Sequence, residues 1–411
     1  MQENHFIPVP RERIVAALLE ETEWPVGQAQ AFEQFARLYT GIYVLRLHDR
    51  LQSLKRMYEP FDPDATDAHG TAEPELERLL AELHTLLTQA NFRELGHDDI
   101  TRSLESVSPV GLEVGVDLSD FAQLRVYSLG QDIQLSRSRH WRSLWLREQV
   151  AEVPVFRRLV LCVRFKSYAE RVAETQAAGK TGWFVRRRLR LSRAGLPEAA
   201  ERGCTFLRLF KDIPHSDLET LFPNRRVRMR RGDKIKLGIT SGGGTASGVA
   251  AALTKLAAAA NPFAIAGAVV ALAAVIFRQV TKIVNQRTRY MVVLTRSLYF
   301  HCLDNNFGVI SRLVDAALEE ESKEVLLAYC FLLQAPPGEY DEQQLDRAVE
   351  AYVHARFAVD VDFDVADGVR KLFDDGLLHT DADGKLRVVG LSDALQLLQE
   401  RWRLYAEKAE L

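Results

Sequence analysis

The densest set of groups that could do chemistry lies in one short segment, FKDIPHSDLE at residues 210–219. Its members are Lys211, Asp212, His215, Asp217 and Glu219. A histidine beside carboxylates can transfer protons near neutral pH, and such a site near a membrane could face lipid headgroups or phosphorylated ligands. The alternative interpretation is structural, because acids favour the start of any helix. The segment is therefore a candidate binding site, and no catalytic residue is assigned.

A second polar set follows further along the chain, in the sequence LDNN at residues 303–306. Asp304, Asn305 and Asn306 stand there between apolar neighbours. Asparagine and aspartate side chains hydrogen-bond to nearby backbone and so mark turns and helix boundaries. We favour a helix boundary with an Asx turn, with a polar binding site as the alternative.

Complete catalytic or metal-binding motifs are absent from the sequence. Residues 178–181 resemble the end of a phosphate-binding loop, but Glu174 stands where the first glycine is required, which favours a surface turn. The four cysteines form no Cys-x-x-Cys pair, so neither a zinc ribbon nor a disulfide scaffold is expected. His301 and Cys302 are neighbours that point to different faces of a helix. No metal and no cofactor is predicted.

Residues 237–277 form an apolar block that contains a single charge, Lys255. A helix that spans a bilayer needs about 20 mostly apolar residues. Asn261-Pro262 interrupts the block, so it predicts either a hairpin of two helices or one helix over 256–277. A buried soluble pair or an interfacial pair is the alternative, because the second arm, residues 263–277, is short for a span.

Basic residues flank the apolar block on both sides. Basic flanks favour the cytoplasmic side of a membrane, so a hairpin with both ends on that side is expected. Its glycines and alanines would let two helices approach closely and make self-association plausible. The flanking residues are Arg230, Arg231, Lys234, Lys236, Arg278 and Lys282.

The remaining elements are predicted from periodicity and from chain breaks. Apolar residues at helical spacing predict helices over 27–57 and 76–87. Strands are expected at 110–116, 124–128, 153–165 and 204–210, with an arginine-rich excursion at 166–203. Helix resumes over 278–335. Helices at 323–334, 341–357 and 364–373, followed by a hairpin at 377–389, predict a winged-helix-like module.

The formal charge of the chain is −3, so no general attraction to nucleic acid follows. The helix that would recognise DNA in the winged-helix-like module is acidic, whereas phosphate contacts need cations. No nucleic acid is expected as a partner. The charged residues of this region are Asp360, Asp362, Asp364, Asp367, Asp374 and Asp375, against Arg370 and Lys371.

Four parts follow from these patterns. They are an N-terminal helical part (1–109), an α/β part (110–236), the apolar helical hairpin (237–283) and a helical, winged-helix-like C-terminal domain (284–411). The fold class is therefore α+β, mostly α, with a small β-sheet.

Several segments together resemble one known family. They are HFIPVPRERIVAALL at 5–19, YEPFDPDA at 58–65, NFREL at 91–95, RLFKDIPHSDLETLFPNRRVRMRRGDKIKLG at 208–238, LTRSLYFHCLDNN at 294–306, residues 323–333 and the stretch from VADGVRKLFDDGLL to DGKLRVVGLSDALQLL. In this order they resemble the domain of unknown function 3754 family, which includes transmembrane protein 143 of animals. The resemblance implies a membrane-associated protein with a central pair of membrane helices. It brings no accepted activity, substrate or catalytic residue that could be assigned to this chain.

The sequence therefore predicts a protein anchored in a bilayer, with its soluble parts at the cytoplasmic face of a bacterial inner membrane. Its expected role is binding, scaffolding or sensing, with the lipid bilayer and a protein partner or second copy as partners. The alternative is an enzyme of unknown class that acts near the membrane surface. A DNA-binding regulator is disfavoured by the acidic helix.

Overall fold

The computed structural model describes residues 6–21, 23–68, 73–105, 112–139, 148–179, 182–193, 195–222, 226–229 and 299–409, together with Ala274, Phe277, Arg278 and Thr281. The helices in this part are α1 (Arg11–Glu21), α2 (Gln28–Tyr58), α3 (Glu73–Gln89), α4 (His97–Glu105), α5 (Tyr168–Ala177), α6 (Trp183–Arg193), α7 (Glu198–Glu201), α8 (Phe307–Gln334), α9 (Glu342–Phe357), α10 (Val365–Asp374) and α11 (Leu391–Ala409). The strands are β1 (Arg93–Glu94), β2 (Leu112–Gly115), β3 (Phe121–Arg139), β4 (Glu148–Phe165), β5 (Thr205–Pro214), β6 (Arg226–Met229), β7 (Cys302–Asn305), β8 (Leu378–Thr380) and β9 (Leu386–Val388). The predicted α+β class, mostly α, is confirmed.

The main sheet is antiparallel, with the strand order β1-β3-β4-β5-β7. The strands predicted at 124–128, 153–165 and 204–210 are present in it as β3, β4 and β5. The arginine-rich excursion folds as α5, α6 and α7 between β4 and β5. The strand predicted at 110–116 is β2, which pairs with β6 in a separate ladder.

Local signals set the ends of the C-terminal elements. The Asp341 carboxylate accepts a hydrogen bond from Gln344 N at 2.9 Å, and the Gln344 side chain accepts one from Asp341 N. This capping box starts α9 where the sequence predicts it. The hairpin predicted at 377–389 is β8–β9, and Gly384 supplies the left-handed backbone of its turn (φ 76°).

One hydrophobic core joins helices from both ends of the described chain. The rings of Phe35 in α2 and Tyr329 in α8 stack with centroids 4.1 Å apart. A Cβ at Gly41 would lie 2.9 Å from the Trp402 ring, so α11 approaches α2 closely because that position is glycine. The helices α2, α3 and α8 of this core cover one face of the main sheet. A second core, which includes Phe121, Phe165 and Phe222, covers the other face.

Four charged residues in the middle of α8 are buried: Glu320, Glu321, Lys323 and Glu324. They are compensated by groups remote in the sequence. Lys371 Nζ lies 3.0 Å from Glu324 and 3.7 Å from Glu321, and it also pairs with Asp367. Asn91 Nδ2 donates a further hydrogen bond to Glu324, at 3.1 Å. We name Glu321, Glu324, Asp367 and Lys371 the buried acid cluster.

Two predictions about the region after the apolar block are wrong. Continuous helix was expected over 278–335, but residues 302–305 form strand β7, because backbone pairing with β5 overrides helix propensity there. The helix predicted to start at 323 starts at Phe307, since Glu320, Glu321 and Glu324 are buried within α8 instead of ending it.

The apolar block, residues 237–277, lies outside the described residues except for Ala274 and Phe277, and so does the predicted hairpin. Within the part of the chain that the structure describes, no helix combines the length and the apolar character needed to cross a membrane. Of the flanking residues, Arg278 is described and is exposed, whereas Arg230, Arg231, Lys234, Lys236 and Lys282 lie outside this part.

Candidate functional site

The main sheet is interrupted along one row that crosses three strands. Arg157 of β4 stands in register with Gly130 of β3 and Asp212 of β5, yet neither ladder includes a pair at this row. Gly130 and Asp212 both have left-handed backbone, with φ of 63° and 51°. Aspartate tolerates this conformation better than most residues, but it is still uncommon outside glycine. Irregularities of this kind bend a strand and re-aim its side chains.

The interruption changes which face of the sheet each side chain occupies. Above it, Val160 and Leu209 pack into the core of α2, α3 and α8. Strict alternation would place Phe156 and Ile213 on that same face, but both are buried in the second core. The row of Gly130, Arg157 and Asp212 is therefore the point at which the helical face of the sheet ends.

An open cleft lies at this end of the sheet, between β4, α8 and the segment of residues 6–10. Its volume is about 360 Å³. We name it the arginine cleft. Its charged lining residues are Arg157, Arg158, Arg312, Asp315, Glu319, Glu320 and Lys323.

Residues 6–10 form a strap along the cleft, and α8 holds this strap by its backbone. Lys323 Nζ donates to Ile7 O at 2.8 Å, and Ile7 N donates to Glu320 Oε2 at 3.2 Å. Lys323 and Glu320 also pair with each other at 2.9 Å. The Phe6 ring packs on Gly130, where a Cβ would lie 2.4 Å away. The strap thus depends both on the charges of α8 and on the missing side chain of the interrupted row.

The arginines of the cleft stand close to one another. Arg158 is half-buried, and burial together with the positive charges of Arg157 and Arg312 lowers its pKa, while Asp212 opposes this effect. Arg312 Nε donates to Asp304 Oδ2 at 2.7 Å. The guanidinium of Arg157 lies over the Phe6 ring, 5.3 Å from its centroid. Among the described residues, Arg157 and Arg158 make no ion pair with a carboxylate.

The first sequence-predicted set divides between two faces of the sheet. Lys211 is exposed, stands opposite Arg158 in the ladder, and its carbonyl accepts a hydrogen bond from His301 Nδ1 at 2.9 Å. Asp212 lies in the interrupted row, and its negative charge raises the pKa of Arg158 against the effect of burial. These two residues adjoin the arginine cleft. His215 belongs to the opposite side of the sheet, where it stacks on Phe156 with ring centroids 3.9 Å apart.

His215 and Glu219 are partly withdrawn from solvent by the second core. Burial lowers the pKa of His215 and leaves its Nε2 without a hydrogen-bond partner among the described residues. Burial, assisted by the charge of Asp217, raises the pKa of Glu219 to about 7. The Glu219 side chain is 2% exposed, and within the described part its Oε1 accepts no hydrogen bond. The structure does not gather the five residues of this segment into one cleft.

The second predicted set lies at the end of the sheet and leads into α8. Asp304 pairs with Leu209 in the ladder and with Arg312 by its side chain, so it adjoins the arginine cleft. The Asp304 carboxylate lies against the backbone of Gly308. Any other residue at position 308 would clash, because a Cβ there would lie 1.8 Å from Asp304 Oδ1. Asn305 is exposed in the same strand.

Asn306 is the buried junction between the main sheet and α8, with a left-handed backbone (φ 48°). Its side chain accepts a hydrogen bond from Tyr58 Oη at 3.2 Å and donates one to Asp64 at 2.7 Å. Its backbone N donates to Leu207 O at 2.9 Å. The helix boundary expected at residues 303–306 is therefore found at Asn306, and this side chain is committed to structure.

Sequence reasoning missed the arginines of the cleft and the strap. A usable signal was present: Arg157-Arg158 is a pair of adjacent charges in the mostly apolar run VPVFRRLVLCVRF, whose one other charge is Arg164. A strand that alternates faces cannot hide two adjacent charges, so the doublet marks a place where the strand leaves the core. Arg312 and residues 6–10 carried no such signal, because they reach the cleft through tertiary contacts.

Comparison with known proteins bears on the same stretch of chain. No solved structure matches the chain. A family model with the description "Protein of unknown function (DUF3754)" matches residues 156–308. The matched stretch contains Arg157, Arg158, Lys211 and Asp304, whereas Arg312 and the strap lie outside it. The resemblance of this chain to the domain of unknown function 3754 family is thereby confirmed over residues 156–308.

Proposed function

We propose that this protein is anchored in a membrane by its apolar block, residues 237–277, and that the body around the main sheet binds a ligand at the membrane face. The block carries one charge in 41 residues and has basic flanks. No other segment of the sequence has a length and a polarity that suit a helical membrane hairpin as well as those of the block. The biochemical role is binding or sensing, with the arginine cleft as the ligand site.

The observation that carries the proposed topology is the pairing of β7 with β5. β5 precedes the block and β7 follows it, yet Phe210 pairs with Cys302 in one ladder. If the chain crossed a bilayer once between these strands, the two would lie on opposite sides and could not pair. An anchor formed by the block must therefore cross an even number of times, as a hairpin does.

The side of the membrane follows from the charges that flank the block. Arg230, Arg231, Lys234 and Lys236 precede it, and Arg278 and Lys282 follow it. Basic residues next to a span are retained on the cytoplasmic side. We place the sheet, the arginine cleft and both ends of this chain at the cytoplasmic face of a bacterial inner membrane. Contact between two hairpins through their small residues is a route to self-association.

An enzymatic role is the second candidate, and one observation favours it. His215 and Glu219 each keep a buried polar atom without a partner among the described residues, and burial shifts their pKa values toward each other. Groups with this property are suited to proton transfer near neutral pH. The binding role is preferred because the arginine cleft is open and lined by cations, whereas His215 stacks on Phe156 and Glu219 is buried.

Membrane fractionation of the intact protein tests the anchor. Sealed membranes would be washed with alkaline carbonate and then treated with protease from the outer side, with tags on the two ends of this chain. The proposal predicts that the protein resists the wash and that both tags are protected. Release by the wash would overturn the anchor. Protection of only one tag would contradict the pairing argument.

A further inference from the structure

We propose that the arginine cleft binds a small ligand through a phosphate group, with Arg157 and Arg158 as its principal contacts. This inference names the ligand class of the proposed binding role and does not depend on the membrane anchor. The cleft opens at the interrupted row of the sheet and is bounded by the strap and by α8.

The arginine cleft brings three arginine side chains together. Arg157, Arg158 and Arg312 line one cleft, and of these only Arg312 has a carboxylate partner among the described residues. Like charges held together raise the free energy of the empty site, and an anion bound between them removes this repulsion. A guanidinium offers a planar pair of donors that matches phosphate oxygens, which makes arginine the usual residue for this contact.

The arginines of the cleft are held in place by contacts within the protein. The Phe6 ring supports the Arg157 guanidinium, and Asp304 fixes Arg312 through a hydrogen bond of 2.7 Å. Arg158 is half-buried and extends from a strand that is paired on both sides. Side chains that are already held in place lose little conformational entropy when the ligand binds.

The size and the remaining lining of the cleft also fit a small phosphorylated ligand. A volume of about 360 Å³ suits one small molecule or one headgroup. Asp315 and Glu319 also line the cleft, and their carboxylates can accept hydrogen bonds from hydroxyl or ammonium groups. Leu209 and Leu313 supply an apolar wall. The ligand therefore combines a phosphate with polar donors, as in a phosphorylated polyol or a phospholipid headgroup.

Binding would be measured on the purified full chain with two probes. Glycerol 3-phosphate in solution would be titrated by calorimetry, and vesicles with and without phosphatidic acid would be tested by co-sedimentation. The variant R157Q/R158Q removes both principal contacts. The variant R208Q is the matched control, because Arg208 is an exposed arginine of neighbouring β5 beside the second core and is not in the cleft.

The proposal predicts that R157Q/R158Q weakens binding of at least one probe by tenfold or more, while R208Q leaves it within twofold. Loss of glycerol 3-phosphate binding identifies a soluble phosphorylated ligand. Loss confined to vesicles with phosphatidic acid identifies a lipid headgroup. The absence of phosphate-dependent binding by the wild-type chain, or equal binding by R157Q/R158Q, would overturn the proposal.

A second pair of variants protects this test against a folding defect. R158K keeps the charge but loses the two-pronged donor, so it should retain an intermediate affinity. R312Q removes the third arginine from an exposed position of α8 and should weaken binding severalfold at an unchanged melting temperature. If both variants melt like the wild type and bind equally well, the arginines do not form the site.

Discussion

Single side chains in this protein show how burial decides whether a charged group is structural or chemically available. Asn306 is buried with each polar atom of its side chain engaged, which makes it a structural junction. Glu219 is as deeply buried but keeps one oxygen without a partner among the described residues. Both residues were candidate site residues from the sequence alone. Only Glu219 has a buried titratable group whose protonation can be measured.

The first prediction at this scale concerns Glu219. Its pKa is raised from the ordinary range to about 7 in the folded protein, so the folded state favours the protonated carboxyl. The folded state therefore loses stability as the pH rises from about 4.5 to about 7, and the loss levels off above that range. The variant E219Q imitates the protonated form. We expect it to raise the free energy of unfolding at pH 8 by roughly 1–2 kcal/mol, which is less than the full conversion of the shift because burial of the glutamine amide has its own desolvation cost.

Thermal or chemical unfolding measured from pH 5 to pH 8 would check this expectation. The gain should shrink toward zero near pH 5, where the wild-type side chain is already protonated in the folded state. E198Q, a change at an exposed acid of α7, is the control and should show no such dependence. A constant difference between E219Q and wild type at each pH would contradict the assignment.

The chemical candidates at this scale could be predicted only in part. The segment at 210–219 was found from its composition, and Lys211 and Asp212 do adjoin a cleft. Their partner Arg158 lies on another strand, and the register that places it opposite Lys211 is set by long-range pairing. The left-handed backbone of Asp212 could not be predicted either, because nothing in the local sequence requires it.

At the scale of elements, α8 runs without a break through residue 323, where a separate helix was predicted to begin. The run EEESKE at residues 319–324 is typical of a solvated surface, and a separate helix was predicted to begin within it, at 323. In the structure, these acids are neutralised by Lys323 and Lys371 and by hydrogen bonds from Ile7 and Asn91. The compensation comes from residues far away in sequence, which no local pattern can reveal.

The second prediction concerns the buried acid cluster. Lys371 is its cation, and the charges of Glu324, Glu321 and Asp367 outweigh burial and raise the pKa of Lys371. Removal of this cation in K371M leaves three carboxylates near one another in a buried place. We expect the free energy of unfolding to fall by about 3–5 kcal/mol at pH 8, the usual cost of a broken buried pair.

The pH dependence of this loss separates charge from packing. Burial raises the pKa of Glu324 to about 7 even with Lys371 present, so protonation at pH 5 relieves the repulsion in the variant. The loss should therefore be smaller at pH 5 than at pH 8 by unfolding measurements. R370M is the control, since Arg370 is the exposed neighbour of Lys371 on α10 and also pairs with Asp367. An equal loss at both pH values would assign the effect to packing alone.

At the scale of the whole molecule, the sequence predicted the elements well and the assembly poorly. The helices α2, α3, α9 and α10 and the hairpin β8–β9 follow from local periodicity and turn residues and were predicted near their true positions, whereas β7 was predicted as helix. The contacts that assemble them join distant segments: Ile7 with Lys323, Tyr39 with Asp375, and β5 with β7. Contacts of this kind bring both ends of the described chain into one core. Local sequence patterns could not predict this core, because its contacts join residues that are far apart in the sequence.

The third prediction follows from this assembly and concerns the apolar block. Because β7 pairs with β5 and α8 packs on the same sheet, the fold is held by contacts that the block does not make. We expect that replacement of residues 237–277 by a flexible Gly/Ser linker of ten residues leaves the main sheet intact. Residues 230–236 and 278–298 remain in this variant, so the chain keeps ample length to return to β7.

The variant should melt within a few degrees of the wild type, keep its affinity for the phosphate probe that the full chain binds and no longer sediment with vesicles that lack phosphatidic acid. These three readouts assign the block to anchoring, the arginine cleft to binding and the sheet to folding. A variant that unfolds or aggregates would show instead that the block is part of the core. This result would contradict the proposed hairpin anchor. Because the anchor and the cleft are tested in one molecule, a loss of sedimentation with unchanged ligand affinity separates the two proposals directly.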